Sequence, residues 1–422
     1  MPDLGSPLSR FTLPREGIPA DQIRDLMDDA STGDVEWELG RVAALVYMAG
    51  EDVTQVSKEA YLTGFSTNGL APTAFPSLRK YESDVIDMVS GMLNAQHAVG
   101  AITSGGTESI LLAVLIARER ARKRSPHITS PTMVLPETAH PAFNKAGYYF
   151  DIEPIRVPTG AGYRVDVDRY EAAITDDTIL CVGSAPNYVY TMIDPIPKLS
   201  ELARARDISF HVDACVGGFF LPFVEKLGYS RIPFDFRNPG VTTISADLHK
   251  FGYTAKGAST LTCRDDEIGS YMGFHFADWP GGSYRTPTLT GTRPGGAIAA
   301  AWAVMNYLGE DGYLDRTKQT MDFVEHLLEE IESIPDLYVV GEPDMSLVAY
   351  GSHTLDMVAI GDAMQDRGWF VYMERIPPSI HLMLSPGHAP FIELYLSDLN
   401  EVVELARAGK IERKRDEIKY GQ

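Results

Sequence analysis

Cysteine is scarce in this sequence: Cys181, Cys215 and Cys263 are the only three in 422 residues, and no two have CxxC spacing. That excludes a disulfide framework and gives no support to a zinc site, and it points to a reducing compartment. Basic residues are also in short supply, with 37 Lys and Arg against 58 Asp and Glu and a formal charge of −21. Such a chain repels phosphodiester backbones and anionic lipid surfaces, so no nucleic-acid partner is expected. An anionic ligand would need a local cluster of cations. Long apolar runs are missing. None reaches the roughly 18 residues that span a bilayer, and the opening MPDLGSPLSRFTLPREG lacks the apolar core of a signal peptide. The expectation is a cytoplasmic protein with no transmembrane segment. Neither GxGxxG nor GxxxxGK[ST] occurs, and no internal repeat is visible.

What is present is an ordinary globular composition, 44% hydrophobic and 23% charged, in a chain long enough for one large unit and a smaller companion. Residues 20–62 carry helical patterning, including RVAALVYMAG, until the loop STNGLAPTAFPS breaks it with a glycine and two prolines. The spacing of Leu78, Tyr81, Val85, Met88, Val89 and Met92 predicts a helix over 77–94. From about residue 98, short apolar runs alternate with amphipathic segments: AVGAIT, TMVLP, IEPIRVP, TILCVGS, ISFHVDA and TTISAD. This rhythm predicts an α/β fold with a mostly parallel sheet covered by helices on both faces. Ligands of such sheets bind at the carboxyl ends of the strands. Beyond a helical stretch at 295–308, a long helix at about 313–333 precedes the short strands LYVVG, SLVAY and WFVYM and a last helix. We therefore expect an N-terminal helical segment (1–62), a large domain (63–310) and a small C-terminal α+β domain (311–422). The tail KIERKRDEIKYGQ reads as a solvated, fraying helix end.

Three strand-end elements carry chemistry. The run from Thr103 to Ser109, TSGGTES, lies between an apolar strand and the helix SILLAVLIARER. Bare glycines, hydroxyls and a helix N-terminus suit a phosphate, although such a turn also caps helices with no ligand. Next, His211-Val212-Asp213 closes an apolar strand, so Asp213 projects a carboxylate at its carboxyl end. A protonated pyridine nitrogen would satisfy it, and so would a structural salt bridge. Finally, Lys250 follows Ser245 and His249 after the strand TTISAD, beside Phe251 and Gly252. A lysine there is a candidate imine-forming amine, activated when desolvation lowers its pKa. Phosphate cradle, Asp and Lys in this order predict pyridoxal 5′-phosphate (PLP) bound to Lys250.

Over nearly its whole length the chain resembles sphingosine-1-phosphate lyases, in the group II decarboxylase branch of fold type I (aspartate aminotransferase-like) PLP enzymes. The resemblance is carried by TSGGTESILLA, AHPAFNKAGYYF, HVDACVGGF, PFDFR, ISADLHKFGYTAKGAS, GTRPGG and PPSIH. It implies a Schiff base on Lys250, with Asp213 paired to the pyridinium and His140 stacked on the cofactor ring. Gly106, Thr107, Ser245 and His249 would hold the cofactor phosphate. Gly291 and Thr292 would reach it from the neighbouring subunit of a homodimer with shared active sites. Tyr47, Asn68 and Lys256 would bind a substrate phosphate. The family's Asn-Pro-Leu-His-Pro loop reads Asn68-Gly69-Leu70-Ala71-Pro72 here, with Ala71 in the histidine's place. Tyr188 lies where the family keeps an active-site aromatic residue.

The activity so implied is retro-aldol cleavage of a phosphorylated 2-amino-3-hydroxy compound, a small-molecule or lipid phosphate, to an aldehyde and phosphoethanolamine. The base that takes the C3 hydroxyl proton is Lys250, His249 or Tyr188. Two other readings use the same residues: an L-amino-acid decarboxylase, and a PLP-binding protein without turnover. Eukaryotic members of the family carry an N-terminal membrane span; without one, a bacterial-type enzyme is expected.

Overall fold

The structure, a computed structural model, describes residues 13–229 and 231–419. Seven strands form the main sheet: β1 (Val99–Thr103), β2 (Thr132–Pro136), β3 (Glu153–Val157), β4 (Thr178–Ser184), β5 (Ser209–Asp213), β6 (Thr243–Ala246) and β7 (Ser259–Cys263). Their order is β1-β7-β6-β5-β4-β2-β3, and all run parallel except β7, which is antiparallel to both neighbours. Every residue of β4, β5, β6 and β7 is buried, as strands covered on both faces must be. The first six strands match the predicted apolar runs. β7 was not anticipated, because its sequence STLTC is mostly hydroxyl-bearing. Two of its three hydroxyls are satisfied internally: Ser259 Oγ and Thr260 Oγ1 donate to Ala246 O at 3.3 and 3.0 Å.

Five helices in the first half of the chain are α1 (Ala20–Ser31), α2 (Glu51–Gly64), α3 (Pro76–Met92), α4 (Gly106–Arg124) and α5 (Ala142–Phe150). The following helices are α6 (Val167–Ala173), α7 (Ile196–Ala205), α8 (Leu221–Lys226), α9 (Asp266–Gly269) and α10 (Gly295–Ser333). The two helices predicted for 295–333 are one element bent at Gly309, whose φ of 54° lies in the left-handed region. An exposed hairpin, β8 (Phe274–Phe276) and β9 (Tyr284–Thr286), precedes α10.

A second, antiparallel sheet follows in the order β10-β11-β13-β12, from β10 (Leu337–Val339), β11 (Leu347–Ser352), β12 (Tyr372–Arg375) and β13 (Pro378–Met383). Helices α11 (Met357–Asp366) and α12 (Ile392–Arg407) cover it. The tail departs from the expected fraying helix. Beyond α12 it is irregular and fastened to α11 through Arg413–Asp356, Lys414–Asp366 and Arg415–Asp362. Ile411 and Ile418 pack on the small-domain core. Among the described residues no helix is long and apolar enough to cross a membrane. The large mixed sheet flanked by helices, with a smaller C-terminal sheet, is the fold type I arrangement.

The N-terminal segment closes the structure. Phe370 N donates to Arg41 O, Met383 N to Ala43 O, and Met48 N to Ser385 Oγ, so residues 41–48 are laced to the C-terminal sheet. Arg41 adds a cation–π contact with Trp369 at 4.3 Å. This lacing holds Tyr47 over the carboxyl ends of the main sheet.

Candidate active site

The carboxyl ends of β1, β2, β4, β5 and β6 open onto a cavity of about 420 Å³. Its lining contains Tyr47, Gly106, Thr107, His140, Tyr188, Asp213, His249, Lys250 and Lys256. Nine predicted residues, from across the chain, thus face one space.

At the β1–α4 junction the first-turn amides of α4 have no partner within the helix. A Cβ on Gly106 would lie 2.8 Å from Cys215 Sγ and 2.9 Å from both Asp247 carboxylate oxygens. Only glycine fits there, and the bare backbone leaves the amides open to an anion. His249 borders this cradle, 3.4 Å from where a Cβ on Gly105 would lie. Its Nδ1 accepts the Ala258 N–H at 3.3 Å, which leaves the proton on Nε2. Burial pushes this imidazole down to about 4, so it is a neutral donor.

Asp213 ends β5. Its Oδ1 accepts from Cys215 N at 3.1 Å and Ser245 Oγ at 3.4 Å. Behind it, His211 joins Thr243 Oγ1 through Nδ1 (2.9 Å) and Ser245 Oγ through Nε2 (3.2 Å), and burial holds the ring neutral, down to about 4. His140 lines the same cavity and also caps α5, its Nδ1 accepting the Ala142 N–H at 3.1 Å. Burial lowers its pKa too, favouring an uncharged ring.

Lys250 reverses one expectation. Burial does disfavour its ammonium, but the Asp247 carboxylate at 2.9 Å outweighs burial and raises the pKa above the usual lysine value. The amine's reactivity therefore does not come from burial alone. Asp247 is 2% exposed, and Lys250 and His249 hold its carboxyl below the ordinary range against the opposing effect of burial. Tyr47 and Lys256 are neighbours, with Lys256 Nζ 4.9 Å from the Tyr47 ring centre and donating to His249 O at 2.9 Å. Lys256 is exposed by area, yet partial burial of its ammonium end and the nearby Lys250 bring it down to about 8. Tyr188 stacks on the fully buried His381 of β13 at 4.4 Å.

Four predicted residues lie outside the cavity lining. Ser245 is a correction: its Cα pairs with that of Asp213 across β5 and β6, which puts its fully buried hydroxyl behind the carboxylate rather than at the glycine cradle. Asn68, Gly291 and Thr292 gather on an adjoining rim. There Asn68 Nδ2 donates to Thr292 Oγ1 at 3.3 Å and Gly69 N to Arg293 O at 2.9 Å. Sequence reasoning did not single out Asp247, Thr138, Leu45 or His381. Asp247 had a signal, a carboxylate three residues before Lys250. Leu45 and Thr138 had none, since only the fold brings them to the cavity.

These groups fit PLP. An Asp carboxylate, an amine and a glycine-lined helix N-terminus share one cavity, matching a pyridinium, a carbonyl and a phosphate. Asp247 Oδ1 and Thr138 Oγ1 are buried at this cavity with no hydrogen-bond partner among the described residues, as expected of groups that await a ligand.

Comparison with known proteins bears on this directly. The pyridoxal-dependent decarboxylase conserved domain matches residues 18–352. A sphingosine-1-phosphate lyase of Arabidopsis thaliana is 40% identical over 94% of this chain and 74% of its own. The structure of a Burkholderia pseudomallei sphingosine-1-phosphate lyase superposes with a TM-score of 0.90 at 38% identity, covering 96% of this chain and 94% of that one. An L-aspartate/L-glutamate decarboxylase of Pyrococcus horikoshii is 33% identical over 92% of this chain and 99% of its own. The chain belongs to the pyridoxal-dependent decarboxylase family, in its sphingosine-1-phosphate lyase branch, and is a PLP-dependent lyase.

Proposed function

We propose that the enzyme breaks the C2–C3 bond of a phosphorylated 2-amino-3-hydroxy compound of the sphingosine-1-phosphate type, releasing an aldehyde and phosphoethanolamine. The observation that carries this reading is the Tyr47–Lys256 pair, a phenol and an ammonium on the wall of the same cavity as Lys250. A cation and a phenol at a distance from the Lys250 amine suit a substrate with a second, distal anionic group such as a phosphate.

PLP, when bound, supplies an electron-accepting ring conjugated to the substrate's amino carbon. Lys250 holds it. Asp213, fixed by the Cys215 amide and the Ser245 hydroxyl, would keep the ring nitrogen protonated, and the uncharged His140 would pack against the ring. The Gly106 and Thr107 amides and His249 Nε2–H would hold the cofactor phosphate. His249 is a poor base, because its Nδ1 lone pair already accepts the Ala258 N–H. Lys250 is the better one: its amine lies beside Asp247, which would stabilise the ammonium formed when it takes the C3 hydroxyl proton. Tyr188 then orients that hydroxyl from its stack on His381. Lys256 and Tyr47 anchor the distant phosphate and so hold the scissile bond in place.

We further propose a homodimer. Asn68, Gly291 and Thr292 do not face their own chain's cavity, and Phe274, Phe276 and Trp279 are 61%, 46% and 55% exposed on the adjoining hairpin. A partner copy would cover this face and receive those residues. A reducing cytoplasmic setting suits the three free, buried thiols.

The test is incubation of the PLP-loaded protein with sphingosine 1-phosphate, and separately with amino acids including aspartate and glutamate. Aldehyde and phosphoethanolamine are expected from the first. Carbon dioxide from an amino acid, with no aldehyde from the lipid, would overturn the proposal in favour of decarboxylation, the reading that Ala71 leaves room for.

A further inference from the structure

A substrate phosphate is close to doubly charged at neutral pH, and this chain carries a net charge of −21. Its cavity offers that group a single lysine, Lys256, because Lys250 is committed to the cofactor. The Asn68–Pro72 loop on the adjoining rim, Asn-Gly-Leu-Ala-Pro, carries no cation either. One positive group is therefore missing from the site as a single chain builds it.

The rim next to the cavity holds a candidate for it. Gly69, Leu70 and Pro72, which flank Ala71, line a cleft of about 210 Å³ together with Arg79, Arg285 and Arg293. Arg293 is fully engaged: it is 7% exposed, forks onto the Glu82 carboxylate and donates to Ile102 O and Gly69 O. The Arg285 side chain has no ion pair or hydrogen bond among the described residues, and it is exposed. Arginine in that condition is the side chain best suited to grip phosphate. Its position is also informative. Arg285 lies on β9, within the exposed aromatic hairpin and six residues before Gly291. Glu108, at the start of α4, ties this stretch to the rim by accepting from Leu289 N and Thr290 N at 3.0 and 3.2 Å.

We propose that Arg285 enters the partner subunit's cavity and supplies the second cation for the substrate phosphate. This rests on the lyase reading and on shared sites. Arg79, on the first turn of α3, is the neighbouring cation that would not take part, and it serves as a control.

Arg285→Ala is expected to raise KM for sphingosine 1-phosphate about tenfold or more, as loss of a charge-assisted hydrogen bond does, with a smaller change in kcat. Inhibition by phosphoethanolamine weakens in parallel. Cofactor absorption stays at the wild-type level, and Arg79→Ala changes nothing. Adding Ala71→His to Arg285→Ala restores much of the lost affinity. Mixed dimers of Lys250→Ala and Arg285→Ala chains, isolated through two affinity tags, contain one site with an intact Lys250 and the partner's intact Arg285. That site is expected to show the wild-type KM; the raised KM of the Arg285→Ala homodimer would place the arginine's action in its own chain and overturn the proposal. An unchanged KM in Arg285→Ala, or a loss of cofactor absorption, would overturn it as well. A wild-type enzyme that released no aldehyde would instead refute the lyase reading.

Discussion

Ser245 is a single buried hydroxyl on which three polar groups converge. Its Oγ meets His211 Nε2, Cys215 Sγ and Asp213 Oδ1 at 3.2, 3.2 and 3.4 Å. Replacing it with alanine leaves the buried His211 nitrogen without its partner, at a cost of about 1–3 kcal/mol. The expected result for Ser245→Ala is a lowered unfolding temperature together with faster loss of PLP on dialysis, read from the cofactor's visible absorption. Lys256 makes a second prediction. Its ammonium has a pKa of about 8, so the charge that meets the substrate phosphate is present below that pH and lost as pH rises through it. A profile of kcat/KM against pH, which reports the free enzyme, should fall above about pH 8 for this reason. In Lys256→Arg, whose guanidinium stays charged, the same limb should move to higher pH.

At the scale of elements, most of the sheet was legible because strands covered on both faces are written as unbroken apolar runs, as in TILCVGS. β7 and β13 were not. STLTC hides its burial behind hydroxyls, of which Ser259 and Thr260 bond to the neighbouring strand, and PPSIHLM begins with two prolines and carries His381 into the core. The α4 N-terminus was legible as a possible anion cradle, but its need for glycine comes from Cys215 and Asp247, more than 100 residues away in sequence. Gly106→Ala should therefore weaken PLP binding at least tenfold, measured by titrating the apoprotein, because the added methyl group must displace either the sulfur or the carboxylate.

At the scale of the whole molecule, buried titratable groups set where the fold is most stable. Burial raises Asp194 to about 7 and Glu374 to about 8, so both bind protons more tightly folded than unfolded. Their contribution to stability is greatest at low pH and is lost as pH climbs toward those values. Burial lowers His211, His249 and His381 to about 4, and these groups act oppositely: as pH falls below about 6.5 the unfolded chain takes up protons that the folded one refuses. Three imidazoles outnumber two carboxyls on the acid side, while between about pH 6.5 and 8 the carboxyls dominate, until Lys256, held down to about 8, begins to oppose them. Thermal unfolding of the apoprotein should accordingly show a maximum near pH 6.5. Glu374→Gln should flatten the decline between about pH 6.5 and 8, and a decline unchanged in that variant would refute the assignment.

The sequence by itself determined the alternation of strands and helices, the order of cradle, carboxylate and lysine, and through its extended matching strings the family. These are local properties: apolar periodicity, glycine at a turn and short motifs survive in one dimension. The tertiary structure decided which groups act on one another. It put Asp247 against Lys250 and raised a pKa that burial alone would have lowered, moved Ser245 behind Asp213, and laced residues 41–48 to the C-terminal sheet so that Tyr47 meets Lys256. It also left Asn68, Gly291, Thr292 and Arg285 on a rim outside the cavity. Coulomb and desolvation effects act through distances of a few ångströms, and only the folded chain sets those distances, even between residues as close in sequence as Asp247 and Lys250.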